Sequence, residues 1–221
     1  MTFLESLRQP GDSAIGRVKA AVFAACTLPL VRLAYLGATD GLTANPIEFI
    51  TRSTGTWTLV LLLVTLAVTP LRRFTGLNWL LRLRRMLGLY AFFYGCLHLL
   101  TYLWLDQFFD PVAIVRDVVK RPFITMGFTA FVLMVPLAIT SSHAMVRRLG
   151  GRRWQRLHRL VYAVATAGVV HYWWLVKRDI TQPALYAMAL VALLGVRLWF
   201  RRSAMPRPPA AAACPPGRRG K

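Results

Sequence analysis

Acid is what this sequence has least of. Eight Asp and Glu stand against 28 Lys and Arg in 221 residues, a formal charge of +20, yet charged residues of all kinds make up only 16% of the chain. Soluble basic proteins, nucleic-acid binders among them, carry their charge on a polar surface around a modest core. A chain that is 56% hydrophobic, with mean hydropathy +0.48, does not fit that class, and no nucleic-acid partner is expected. The three cysteines, Cys26, Cys96 and Cys214, have no CxxC spacing, which argues against a disulfide framework or a zinc module. No early apolar stretch with a small-residue cleavage site precedes Lys19, so no cleaved signal peptide is expected. There is no P-loop and no GxGxxG after a strand; Gly150-Gly151 lies in an Arg-rich turn and reads as a loop.

What is present is long apolar runs. A helix needs about 20 mostly apolar residues to cross ~30 Å of hydrocarbon. Six runs approach this: Val18 to Gly37, Trp57 to Leu71, Met86 to Leu105, Pro122 to Ser141, Leu157 to Val176 and Pro183 to Phe200. Their apolar residues are continuous rather than alternating, and a helix satisfies its own backbone in lipid. The expected class is an all-α membrane protein, a six-helix transmembrane bundle over 18–202 embedded in the lipid bilayer. Trp57 to Leu71 is short, so five spans with one re-entrant segment is the alternative. From residue 203 onward the Pro, Ala, Gly and Arg composition reads as a disordered tail.

The arginines give direction, because short loops rich in Lys and Arg stay in the cytoplasm. The second-to-third connection carries Arg72, Arg73, Arg82, Arg84 and Arg85, and the fourth-to-fifth carries Arg147, Arg148, Arg152, Arg153, Arg156 and Arg159, with no acid in either. Arg8, Arg17 and Lys19 precede the first span; Arg201, Arg202, Arg207, Arg218, Arg219 and Lys221 follow the last. The other connections balance Asp40 and Glu48 against Arg52, and Asp106, Asp110 and Asp117 against Arg116, Lys120 and Arg121. Both termini are therefore expected in the cytoplasm, with 1–17 and 203–221 as cytoplasmic segments.

Ionisable residues at membrane depth are costly and point to function. His98 lies twelve residues into the third run, ~18 Å from its cytoplasmic start, and His171 lies ~20 Å beyond His158 along the fifth. His98 and His171 should thus sit at similar height. Thirteen residues turn an ideal helix to about 220° past whole turns, so His158 and His171 cannot hold one iron. One histidine from each of two neighbouring helices is what a six-coordinate b-type haem in a bundle needs. The competing reading is that the histidines hydrogen-bond between helices. An inner haem would use His158, with His143 at about the right depth as its partner, or His143 is a solvated interfacial residue. Arg84, Arg85 and Arg156 on the cytoplasmic side, with Arg152 and Arg159, are available to haem propionates or a phosphate. Lys177 and Arg178 are available on the outer side. Arg32, deep in the first run, either pairs with an outer propionate or snorkels to the interface. Trp173 and Trp174 read as an interfacial belt.

Several ordered motifs carry a resemblance. Arg84-Arg85-Met86-Leu87-Gly88-Leu89, Leu97-His98-Leu99-Leu100-Thr101-Tyr102, Arg121-Pro122, Leu149-Gly150, Trp154 with Leu157-His158-Arg159-Leu160-Val161-Tyr162, and His171-Tyr172-Trp173-Trp174 resemble the MsrQ (YedZ) family over most of the chain. The resemblance implies a ferric-reductase-like transmembrane domain in the bacterial inner membrane, with His98, His158 and His171 at haem-ligand positions. It implies one or two haems b, with FMN as a further cofactor. It also implies electron transfer, from the quinol pool or a cytoplasmic flavin reductase, to a periplasmic molybdopterin subunit that reduces methionine sulfoxide in proteins. The third run supplies one histidine where related oxidases place two, which leaves the haem number open between one and two. The rival readings are a stand-alone ferric or quinone reductase and a proton-coupled transporter. Against the transporter, the apolar runs contain no carboxylate.

Overall fold

The computed structural model describes residues 10–176 and 179–203, and every regular element among them is a helix. Arg8, Lys177, Arg178, Arg207, Cys214, Arg218, Arg219, Lys221 and the proposed tail beyond Ser203 lie outside the described residues. Five helices are long and apolar enough to cross a membrane: Asp12–Ala38, Pro46–Thr75, Asn78–Asp106, Pro122–Ile139 and Thr181–Arg202.

Helix α1 (Asp12–Ala38) opens with an acid in its first turn, where the helix dipole favours it. Its start is tied to the third span by Asp12–Arg82, at 2.7 Å. Pro29 interrupts its hydrogen-bond ladder, and close to that break Tyr94 donates to the Cys26 carbonyl at 2.7 Å. Helix α2 (Pro46–Thr75) begins where the Asn45 side chain accepts from the Glu48 N–H, with Pro46 in the first turn. It stops at Gly76, whose φ of 76° is the left-handed conformation that lets its N–H reach the Arg72 carbonyl. These signals lie well outside the apolar run Trp57 to Leu71, so the segment that looked short is a 30-residue helix. No re-entrant element forms there.

A 3-10 turn at Asn78–Leu80 leads into α3 (Leu81–Thr101), which continues as a π-turn over Tyr102–Asp106. The chain then passes through Phe108 and Phe109, both at positive φ, to the short amphipathic α4 (Pro111–Lys120), capped by Asp110. Helix α5 (Pro122–Ile139) ends at Thr140, and two seven-residue helices follow, α6 (His143–Leu149) and α7 (Gly151–Leu157). Helix α8 (Leu160–Leu175) and α9 (Thr181–Arg202) complete the chain.

The fifth expected span, Leu157 to Val176, is the one that differs. With His158 and Arg159 left in a turn ahead of it, α8 has 16 residues, ~24 Å of helix against ~30 Å of hydrocarbon. It is nonetheless among the best-enclosed helices, with Val164 and Ala165 fully buried. The core forms where α2 packs on α3 and α5 packs on α8, around Leu66, Ala91, Tyr94 and Val164. Outward faces stay apolar, as Leu28 on α1, Val132 on α5 and Val191 on α9 show, which suits lipid as the surrounding solvent.

Candidate functional site

The two helix pairs that form the core each present a histidine, and both are seated in the same way. On α3, His98 donates from Nδ1 to the backbone carbonyl of Thr51 on α2, at 2.9 Å. On α8, His171 donates from Nδ1 to the carbonyl of Phe123 on α5, at 2.6 Å. Four residues beyond each carbonyl stands a glycine, Gly55 and Gly127. A Cβ at Gly55 would lie 2.9 Å from the His98 Cε1, and one at Gly127 would lie 2.8 Å from the His171 Nδ1. The missing side chain is what lets each ring come close enough to reach the helix backbone. Neither glycine nor carbonyl is singled out by the sequence reading, because a glycine inside an apolar run looks like any small packing residue.

These seats have a chemical consequence. An Nδ1–H held by a carbonyl fixes the neutral tautomer whose Nε2 carries a lone pair, the form that binds metal. No hydrogen bond to either Nε2 is found among the described residues. The two rings lie 6.1 Å apart between centroids, crossed at 75°. Two metal–imidazole bonds of about 2.0 Å, with ~1.1 Å from each nitrogen to its ring centre, call for about 6.2 Å. The donor set and its spacing therefore fit a metal that His98 and His171 would hold between them, as in a bis-histidine haem. No group of three or more His, Cys, Asp or Glu suited to a metal occurs among the described residues. Beside this pair, Pro122, Phe123 and Trp174 line a shallow groove of about 360 Å³.

At the opposite, arginine-rich end the arrangement is different. His158 lies in the turn before α8, stacked on Trp154 at 4.0 Å between ring centroids. Its Nε2 is 3.0 Å from the Thr140 hydroxyl, which itself donates to the Pro136 carbonyl at 2.6 Å. Trp154 donates to the Thr140 carbonyl at 2.8 Å. His158 and His143 both line a cavity of about 260 Å³ between α2, α3, α5 and α8, with Arg84 and Arg85 on its α3 wall. Thus His143 is brought to the same cavity as His158, at its exposed rim, while Nε2 of His158 is already engaged. A metal at that nitrogen would have to replace the Thr140 bond.

The remaining cations separate. Arg84 is half-buried and Arg85 exposed, both on the cavity; Arg156 is exposed on α7, and Arg32 is exposed on α1 and lines neither site. Arg197 on α9, absent from the sequence reading, donates to the Tyr162 hydroxyl at 2.6 Å and to the Leu66 carbonyl. A single arginine near the end of an apolar run has the look of a flank, which is why sequence does not mark it.

Residues 54–169 match the family model described as the ferric reductase like transmembrane component. The chain is 61% identical to a protein of Ralstonia nicotianae over 83% of this chain and 85% of that one. It is 57% identical to one of Herminiimonas arsenicoxydans over 88% and 91% respectively. A third relative, from Xanthomonas campestris, is 52% identical over 84% and 88%. All three are named protein-methionine-sulfoxide reductase heme-binding subunit MsrQ.

Proposed function

Because the chain belongs to the MsrQ family of ferric-reductase-like transmembrane proteins, we propose that it is the haem-binding electron-transfer subunit of a protein-methionine-sulfoxide reductase. The observation that carries this reading is the pair of carbonyl-seated imidazoles, His98 and His171, 6.1 Å apart. A haem b held by them supplies a one-electron iron couple inside the bundle. The protein's own contribution is ligation, burial and charge, and the methionine sulfoxide chemistry belongs to its periplasmic molybdopterin partner.

The chain is a multi-pass membrane protein. In this reading α8 is a sixth crossing, the arginine-rich end faces the cytoplasm with both termini, and His98 and His171 face the periplasm of a bacterial inner membrane. Electrons enter at the cytoplasmic end from the quinol pool or a flavin reductase with FMN. They leave beside Phe123 and Trp174, the groove nearest His171. The bundle holds one haem or two; a second, inner one would be held by His158, with His143 on the same cavity, at the nitrogen that now meets Thr140. Arg84, Arg85 and Arg156 are the cytoplasmic partners for propionate or phosphate, and Arg32 the outer one.

The test is the haem-to-protein ratio of the purified chain with its reduced-minus-oxidised spectrum. His98→Ala and His171→Ala should each lose the same haem. Retention of wild-type content and bands by both variants would remove the pairing.

A further inference from the structure

Helix α4 (Pro111–Lys120) is tied to the bundle on one side and bare on the other. Gln107, at the end of the third span, donates to the Asp117 carboxylate at 3.2 Å, and the Thr125 hydroxyl in the first turn of α5 donates to the Val118 carbonyl. Asp117 also pairs with Arg121 at 3.4 Å. The tied side therefore bridges two spans, and α5 starts from it with Phe123, whose carbonyl seats His171. On the bare side, Val112, Val115 and Val119 are 65, 63 and 77% exposed. At 100° per residue they share an arc of about 60°, whereas Asp117 lies about 140° round the helix from Val112. Arg116 and Lys120 follow at the edge of that arc, about 40° and 80° from Val112. Both are exposed, and neither has a hydrogen bond or ion pair among the described residues. The nearby acids are already engaged, Asp110 in capping the helix and Asp117 with Gln107 and Arg121.

Valines gathered on one exposed helix face mark an interface. The apolar surface does not stop at α4. Leu100, Trp104 and Phe108 step by four residues from the third span into the loop before it, and all are exposed. Phe108 and Phe109 stand at φ of 48° and 56°, a left-handed backbone that bulky side chains seldom adopt, and both rings remain exposed. Along the spans, lipid is the solvent of such side chains, and α4 carries the same surface on from the point where the third span ends. An apolar arc with cations along its edge is the layout of a helix lying in a membrane interface, its face at the acyl boundary and its long cationic side chains reaching phosphate. We propose that α4 is an interfacial helix that binds anionic phospholipid at the His98–His171 end of the bundle. Val112, Val115 and Val119 lie against the acyl chains, and Arg116 and Lys120 sit on headgroup phosphates. The lipid surface thereby sets the level of the junction from which α5 starts.

The test places one full-length chain in each lipid nanodisc and follows a single introduced thiol. Val115→Cys and Val119→Cys report on the face. Ala44→Cys, exposed in the loop between α1 and α2, reports on water at the same end of the bundle. The reagent is an uncharged polyethylene-glycol maleimide, the wild-type chain gives the background of the native cysteines, and each rate is divided by that of Ala44→Cys in the same lipid. In phosphatidylglycerol discs both α4 thiols should react at least about tenfold more slowly than Ala44→Cys, the order set by burying a single valine side chain. In phosphatidylcholine discs Val115→Cys should react faster than in phosphatidylglycerol, because each cation near an anionic surface is favoured about fivefold. Adding Arg116→Gln and Lys120→Gln should erase that difference between lipids. Thiols on α4 as reactive as Ala44→Cys would overturn the proposal, since the face would then stand open to water for a protein partner or a second copy of the chain. Equal relative rates in the two lipids with both cations in place would overturn the headgroup contact.

Discussion

Replacing Gly127 with Ala adds one methyl group and should disable one side of the His98–His171 pair. The new Cβ would sit 2.8 Å from the His171 Nδ1, and ordinary contact begins at 3.4 Å, so ring or helix must give by 0.6 Å. The His171–Phe123 hydrogen bond of 2.6 Å would then stretch to the edge of useful length. Metal–ligand distances tolerate about 0.2 Å, so a shift of this size is felt at the metal as well. Overpacking costs about 1–3 kcal/mol and the hydrogen bond about 0.5–1.5 kcal/mol. Against these stands a helix-propensity gain of about 1 kcal/mol for Ala over Gly. The control is Gly95→Ala on α3, whose added Cβ would meet Thr58 and Met134 at 3.6 and 3.8 Å, within ordinary contact. The assay is haem per protein, the reduced-minus-oxidised spectrum and a redox titration on both variants. Gly127→Ala should lose or shift the haem of this pair while Gly95→Ala keeps it. Equal content and equal potentials in the two would refute the idea that the glycine seats the ring.

Other outcomes follow from the same contacts. Gly55→Ala should reproduce the Gly127→Ala spectrum, since its Cβ would meet His98 at 2.9 Å; different haems lost in the two variants would separate the seats. Thr140→Val removes the hydroxyl bonded to His158 and should cost about 1 kcal/mol in a detergent melt, leaving the His98–His171 bands unchanged. Tyr94→Phe removes the hydrogen bond to the Cys26 carbonyl near Pro29 and should cost about 0.5–1.5 kcal/mol, read by thermal unfolding; an unchanged melt would count against that bond. Pro70→Ala gives the Leu66 carbonyl an N–H of its own helix, so Arg197→Gln should cost less in that background, with a coupling of about 0.5–3 kcal/mol in a double-mutant cycle.

The helices were legible because continuous apolar runs have few alternatives in lipid. Their ends were less so. The apolar run of α2 understates the helix because Asn45, Pro46 and Gly76, not hydropathy, decide where it starts and stops. Helix α8 is shorter than its run because the segment around His158 and Arg159 remains a turn. At the site, depth arithmetic was enough to set His98 and His171 at one level, and the structure brings their rings together. Thr51, Gly55, Phe123 and Gly127 were not legible, since each acts on a ring 47 or more residues away by sequence or through the absence of a side chain. Arg197 escaped for a related reason: its meaning depends on Pro70 having left a carbonyl open on another helix.

That open carbonyl also imposes an order on synthesis. Leu66 precedes Arg197 by 131 residues. At translation speeds of about 5–20 residues per second, α2 waits roughly 7–26 s in the membrane before its missing donor is made. Until α9 arrives, the break at Pro70 must borrow a partner from water or a passing side chain. The last helix is therefore a latch as well as a span. A chain without α9 would carry an unmet acceptor at the centre of its core.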